Sequence, residues 1–252
     1  MTRRGEEGAV GEDRVGVITG ASRGLGLAVA RALAEEGWRV VIDARGREAL
    51  EEAARGVHGP GEVRAIPGDV ADESHRVRLI DEARALGRLD LLMNNASLLG
   101  PSPQPALADY PVDVLQEVFR ANVVGPLRLV QLALPLLRRS PEGRIVNVTS
   151  DAAVEGYEGW GGYGSSKAAL EQLSNVLAAE EPAVRVYWVD PGDMNTRMQQ
   201  EAFPGEDVSD RPPPEASVPG LIRLIEGDLP SGRYRARDLV PEEPRRAGEG
   251  AA

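Results

Sequence analysis

Short runs of β-branched and apolar residues recur along this chain, each followed by a longer Ala- and Leu-rich segment of helical period. That alternation leaves few folds open. Residues 15–19, 39–43, 63–66, 89–93, 144–149 and 184–190 read as six strands, and repeated strand–helix–strand units feed a parallel sheet. The run Val15-Gly16-Val17-Ile18 has no polar alternation, as suits a strand covered on both faces by helices. Right-handed crossovers then give a doubly wound α/β sheet. At 252 residues such a sheet is commonly one domain with one core.

The remainder of the composition excludes more than it specifies. A formal net charge of −11 repels phosphodiester backbones, so nucleic acid is not an expected partner. Residues 127–137 are the most apolar stretch, but they hold Arg128 and Pro135 and are too short to span a bilayer. With no cysteine and two isolated histidines, neither disulfides nor a metal site is expected. His58 and His75, in a Gly-rich connection and at a helix start, read as surface residues. Residues 1–13 read as a flexible arm without the apolar core of a signal peptide. Five prolines within 203–219 rule out a regular helix through Pro214, which makes 194–219 a candidate lid over a domain spanning 14–240. Residues 241–252 read as a disordered tail. A cytoplasmic location is expected.

Directly after the first strand comes Thr19-Gly20-Ala21-Ser22-Arg23-Gly24-Leu25-Gly26, opening into a helix. Glycines let backbone approach a pyrophosphate, and free N–H groups at a helix start attract its charge. The second strand ends in Asp43-Ala44-Arg45. An acid there would hydrogen-bond the ribose 2′-OH of NAD, whereas Arg45, with Arg23 as a second guanidinium, would neutralise the 2′-phosphate of NADP. Two apart, Asp43 and Arg45 share a face if the strand continues that far, and they could pair with each other.

Among 29 basic residues the single lysine, Lys167, stands four positions after Tyr163, so the two share a helix face. An ammonium beside a phenol favours the phenolate of a group whose free pKa is about 10. The pair could then exchange a proton with a carbonyl, or simply pack on a helix. Ser150 closes the strand 144–149, at the carboxyl edge where ligands of open α/β sheets bind; a serine there also serves as a cap.

Taken together, these residues resemble the short-chain dehydrogenase/reductase family, over about 15–198. The resemblance is carried by Thr19-Gly20-x3-Gly24-x-Gly26, Asp69-Val70, Asn94-Asn95-Ala96, Asn122, Ser150, Tyr163-x3-Lys167 and Pro191-Gly192-x3-Thr196. It implies a single Rossmann-type domain in which Tyr163 is the general acid/base and Ser150 polarises the substrate carbonyl. Lys167 would hold the nicotinamide ribose and depress the Tyr163 pKa, and Asn122 would place a helix kink and a proton-relay water. For the cofactor it implies contacts from Gly20, Ser22, Arg23, Gly24, Leu25 and Gly26, with Arg45 at the phosphate. Asp69 and Val70 would meet the adenine, Asn95 and Ala96 the adenosine side, and Pro191, Gly192 and Thr196 the nicotinamide, together with Tyr163 and Lys167. Ser97 stands where many members carry glycine, and the late signatures around a last strand are absent.

The expectation is an NADP(H)-dependent carbonyl reductase acting on a small ketone or secondary alcohol. NAD(H) with an oxidative direction, or a dinucleotide-binding redox sensor without turnover, are the alternatives. Tyr157, Trp160, Met194, Met198 and Phe203 lie on loops expected around the nicotinamide end. The apolar helical segments 112–138 and 163–179 imply a homodimer, or a homotetramer if C-terminal contacts add to it.

Overall fold

The computed structural model describes residues 14–240; the expected arm at 1–13 and tail at 241–252 lie outside them. Strands β1 (Val15–Ile18), β2 (Arg39–Ala44), β3 (Val63–Pro67), β4 (Leu91–Asn94), β5 (Arg144–Val148), β6 (Arg185–Asp190) and β7 (Gly232–Arg235) form one sheet. Its order is β3-β2-β1-β4-β5-β6-β7, and every adjacent pair is parallel. Helices α1 (Gly24–Glu35), α2 (Arg47–Arg55), α3 (Glu73–Ala85), α4 (Val112–Phe119), α5 (Gly125–Leu137), α6 (Gly161–Glu180), α7 (Arg197–Ala202) and α8 (Val218–Glu226) fill the connections. This is the doubly wound, Rossmann-type arrangement that the sequence pattern implies.

Period-two alternation sorts each central strand onto two cores. Ile18, Leu91, Met93, Val146 and Val148 face Leu25, Val29 and Leu33 of α1, Leu50 of α2 and Leu221, Leu224 and Ile225 of α8. Val15, Val17, Leu92 and Ile145 face Leu79 and Ile80 of α3 and Leu129, Val130, Leu136 and Leu137 of α5. Each such side chain, removed from water, contributes roughly 1.5–3 kcal/mol before chain entropy is counted. Helix α1 stops at Gly37, whose φ of +88° lets Gly37 N–H reach Ala34 O and Trp38 N–H reach Leu33 O. That left-handed residue closes the last turn and aims the chain into β2.

Two expectations need correction. A seventh strand exists: Gly232-Arg233-Tyr234-Arg235 pairs with 187–190. Its half-buried edge position needs no apolar run, which is why the sequence pattern misses it. The segment 203–219 is also less irregular than its prolines suggest, because a 3-10 turn at Pro214–Ser217 leads into α8. Pro219 sits in the first turn of α8, where a missing N–H costs nothing. No helix among the described residues is long and apolar enough to cross a membrane.

Candidate active site

The strand order reverses between β1 and β4, and the loops leaving their carboxyl ends part there to form a crevice. Thr19 and Asn95 hold those loops together. Thr19 Oγ1 accepts from Asn95 N and Ala96 N, each at 3.0 Å, and Asn95 Nδ2 donates to Thr19 O at 2.8 Å and Gly20 O at 3.1 Å. Packing is so close that a Cβ on Gly26 would stand 2.6 Å from Asn95 Nδ2, and one on Gly20 2.8 Å from Ala96 Cα. Gly20 and Gly24 also adopt φ of +68° and +57°. A Cβ on Gly24 would meet only Thr196 Cγ2, at 3.8 Å, so the backbone there faces open cleft. Arg23, which precedes α1, places no side-chain cap on the helix. Its first N–H groups are therefore available to an anion. These features fit a dinucleotide pyrophosphate.

The end of β2 is wired differently from what the sequence suggests. The strand stops at Ala44, and Asp43 turns inward, 1% exposed. Its Oδ1 accepts from Gly20 N at 2.7 Å and its Oδ2 meets His75 Nε2 at 2.8 Å. Asp43 therefore braces the glycine loop from beneath, and it does not pair with Arg45. His75, expected at the surface, is 1% exposed; its position at the start of α3 points it under the sheet edge, against Gly68. Burial raises the Asp43 pKa, opposed by the hydrogen bonds from His75 and Gly20. Arg45 and Arg23 are exposed on the cleft, and neither pairs with an acid among the described residues.

At the other end of the crevice, Tyr163 and Lys167 rise from the first turns of α6 and are both buried. Lys167 Nζ lies 5.4 Å from the centre of the Tyr163 ring and donates to Val148 O at 2.8 Å. Burial lowers the Lys167 pKa to about 7. The Tyr163 pKa is raised, foremost by burial and further by Asp190 and Asp151, against a lowering contribution from Ser97. The depressed tyrosine pKa expected from a neighbouring ammonium is thus reversed: desolvation of the phenolate outweighs a lysine that sits over the ring and is itself near its own pKa. Ser150 caps a 3-10 turn, accepting from Ala152 N at 3.2 Å and donating to Asp151 Oδ1 at 2.9 Å.

Asn122 lies in a π-helical turn, Arg120–Val124, that joins α4 to α5. Fully buried, it accepts from Leu98 N at 2.7 Å and donates to Leu98 O at 2.9 Å and Ser166 Oγ at 3.0 Å. Its carboxamide thereby ties the helix kink to the loop after β4. Ser97, on the same loop, keeps its hydroxyl oxygen out of solvent and against Tyr163.

One cleft of about 780 Å³ connects these groups. Of the site residues expected from sequence, all line it except Gly26 and Asn122, which pack behind it. Trp160, Met194 and Met198 line its wider end. Tyr157 and Phe203 do not line it but back Trp160, with ring centroids at 6.5 and 5.9 Å. Sequence reading missed His75 and Ser97. A histidine at a helix start carries no period that reveals burial, and Ser97 was visible only as a departure from glycine.

Comparison with known proteins agrees with this geometry. The family model described as short chain dehydrogenase matches residues 14–207. A rhamnolipids biosynthesis 3-oxoacyl-[acyl-carrier-protein] reductase of Pseudomonas aeruginosa is 38% identical over 88% of this chain and 83% of its own length. An (S)-benzoin-forming benzil reductase of Saccharomyces cerevisiae is 35% identical over 75% of this chain and 74% of its own. Among solved structures, a Shigella flexneri short chain dehydrogenase complexed with NADP superposes with a TM-score of 0.83 at 30% identity, covering 90% of this chain and 98% of that one.

Proposed function

The chain belongs to the short-chain dehydrogenase/reductase family of oxidoreductases, and on that basis we propose that it is an NADPH-dependent carbonyl reductase, reversible as a secondary-alcohol dehydrogenase. One observation carries the reading. A buried Tyr163–Lys167 pair shares a cleft with a glycine loop whose backbone is open to an anion. Gly20, Ser22, Gly24, Leu25 and the α1 N-terminus would hold the pyrophosphate, with Gly26 permitting the close packing. Asp69, Val70, Asn95 and Ala96 would flank the adenosine, and Pro191, Gly192 and Thr196 the nicotinamide. Arg45 and Arg23, exposed and unpaired, would take the 2′-phosphate. Asp43 has both oxygens engaged under the glycine loop, which favours NADP over the NAD alternative. The NADP of the Shigella flexneri structure supports the same choice.

When bound, the reduced nicotinamide supplies hydride to the carbonyl carbon. Tyr163 gives its proton to the carbonyl oxygen as charge develops there, and a hydroxyl aimed at that oxygen stabilises the charge mainly in the transition state. Ser150, which lines the same cleft, would take this role with its proton turned from Asp151. Lys167, with a pKa of about 7, takes up or releases a proton near neutrality and can restore the phenol. The apolar wall of Trp160, Met194, Met198 and Leu99 suits a ketone with a hydrophobic substituent, as does the resemblance to a benzil reductase. Exposed Val112, Val124, Leu127 and Val176 on α4 to α6 and their connection support a homodimer through these helices.

The test is NADPH oxidation over a panel of ketones and aldehydes with wild type and Tyr163→Phe in parallel. Loss of a general acid costs about 10²–10⁴ in turnover, so activity should collapse in the variant while it still binds cofactor. Cofactor binding without turnover of any carbonyl would remove the reductase reading in favour of a sensor.

A further inference from the structure

One hydroxyl in the cleft has no part in the proton chemistry described so far. Ser97 follows Asn95-Ala96 on the loop after β4 and lines the cleft, and its Oγ is shielded from solvent without a hydrogen-bond partner among the described residues. Nearby hydroxyls are spoken for. Ser150 donates to Asp151 Oδ1, and Ser166 donates to Tyr163 O while accepting from Asn122 Nδ2. A buried hydroxyl left unpaired in a native fold calls for a reason. The group beside Ser97 is the Tyr163 phenol.

We propose that Ser97 is a positioning residue for the general acid, donating a hydrogen bond to the Tyr163 oxygen when that oxygen becomes a phenolate. The inference rests on the carbonyl-reductase reading. In the reductive step the carbonyl carbon gains a hydride pair from the reduced nicotinamide, which is thereby oxidised, and the carbonyl oxygen gains the Tyr163 proton. The O–H bond of Tyr163 breaks and its electron pair remains on the phenol oxygen, inside a buried site. A neutral phenol is a weak acceptor, whereas a phenolate is a strong one, so a Ser97 donor gains most when charge appears.

The other groups facing Tyr163 are committed elsewhere in this structure. Lys167 Nζ stands over the ring and donates to Val148 O. Asp190 at the end of β6 and Asp151 after β5 oppose the phenolate by charge. Ser150 directs its proton to Asp151. Ser97 is the neighbour that lowers the Tyr163 pKa.

The experiment is the pH profile of alcohol oxidation, whose rising limb reports the deprotonated base, for wild type, Ser97→Ala and Ser97→Thr, with NADP(H) affinity measured by nicotinamide fluorescence in each. Ser97→Ala should move the limb up by on the order of one pH unit, a roughly tenfold loss below it that closes as pH rises. Ser97→Thr, which keeps the hydroxyl, should retain the wild-type limb, and cofactor affinity should be the same in all three. An unmoved limb in Ser97→Ala, or a loss equal at every pH, overturns the proposal and leaves the reductase reading standing. A wild type inert toward every alcohol and carbonyl overturns the reductase reading itself, and this proposal with it.

Discussion

Replacing Asp43 should cost stability before it costs cofactor selectivity. Its carboxylate accepts from Gly20 N at 2.7 Å and from His75 Nε2 at 2.8 Å, both under the glycine loop. The second contact fixes the imidazole tautomer. A carboxylate only accepts, and Arg78 Nη2 lies 3.1 Å from His75 Nδ1 and only donates. Nε2 therefore carries the proton and Nδ1 accepts. Asp43→Ala leaves a part-buried backbone N–H and a buried imidazole N–H without partners, each costing about 1–3 kcal/mol, so the loss should be about 2–6 kcal/mol. Asp43→Asn keeps the acceptor for Gly20 but sets an NH2 against Nε2–H. The ring must then shift its proton and lose the Arg78 contact, costing roughly 1–3 kcal/mol.

At about 2–4 °C per kcal/mol for a chain of this size, Asp43→Ala should melt roughly 4–24 °C below wild type and Asp43→Asn between the two. Thermal unfolding by circular dichroism, beside NAD and NADP affinities, decides the matter. Because the brace lies beneath Gly20, both cofactors should weaken together. Wild-type melting in Asp43→Ala, with NAD affinity selectively lost, would refute the bracing role and return Asp43 to the ribose.

The remaining expectations concern the guanidinium, the lysine and the helical face. Arg45→Ala should weaken NADP by about 10–100-fold, the range of one charge-assisted contact of about 1.5–3 kcal/mol, while leaving NAD unchanged; titration calorimetry showing an intact NADP preference would remove the phosphate assignment. Lys167 has its pKa lowered to about 7 by burial, whereas the unfolded lysine holds its proton to about pH 10.4. Between those values the unfolded chain binds the extra proton, so stability rises with pH across the window. Lys167→Met should therefore stabilise the chain most below pH 7 and progressively less toward pH 10, measured by urea unfolding without cofactor. Sedimentation equilibrium should show a dimer that Val124→Glu or Leu127→Glu shifts toward monomer; a monomeric wild type would end that reading.

The sequence alone determined the doubly wound sheet, the place of the glycine loop and the facing of Tyr163 with Lys167. Each of these follows from local rules: strand and helix period, a glycine-rich turn at a strand end, and four-residue spacing on a helix. Tertiary structure decided what those residues spend their polar groups on. Asp43 stands in the sequence as one of two competing cofactor ligands, and only the fold shows it buried under Gly20 with His75 brought to it across 32 positions. The Tyr163 pKa likewise moves up rather than down, because burial depends on everything packed around α6 and not on the lysine one turn away. Ser97 meets Tyr163 only because the loop after β4 and the start of α6 converge at one end of the crevice. Strand β7 escaped notice for the same reason: an edge strand is made by its partner β6, and its four residues carry no pattern of their own. Hydrogen-bond partners, desolvation and edge pairing are set by long-range proximity, which no local period encodes.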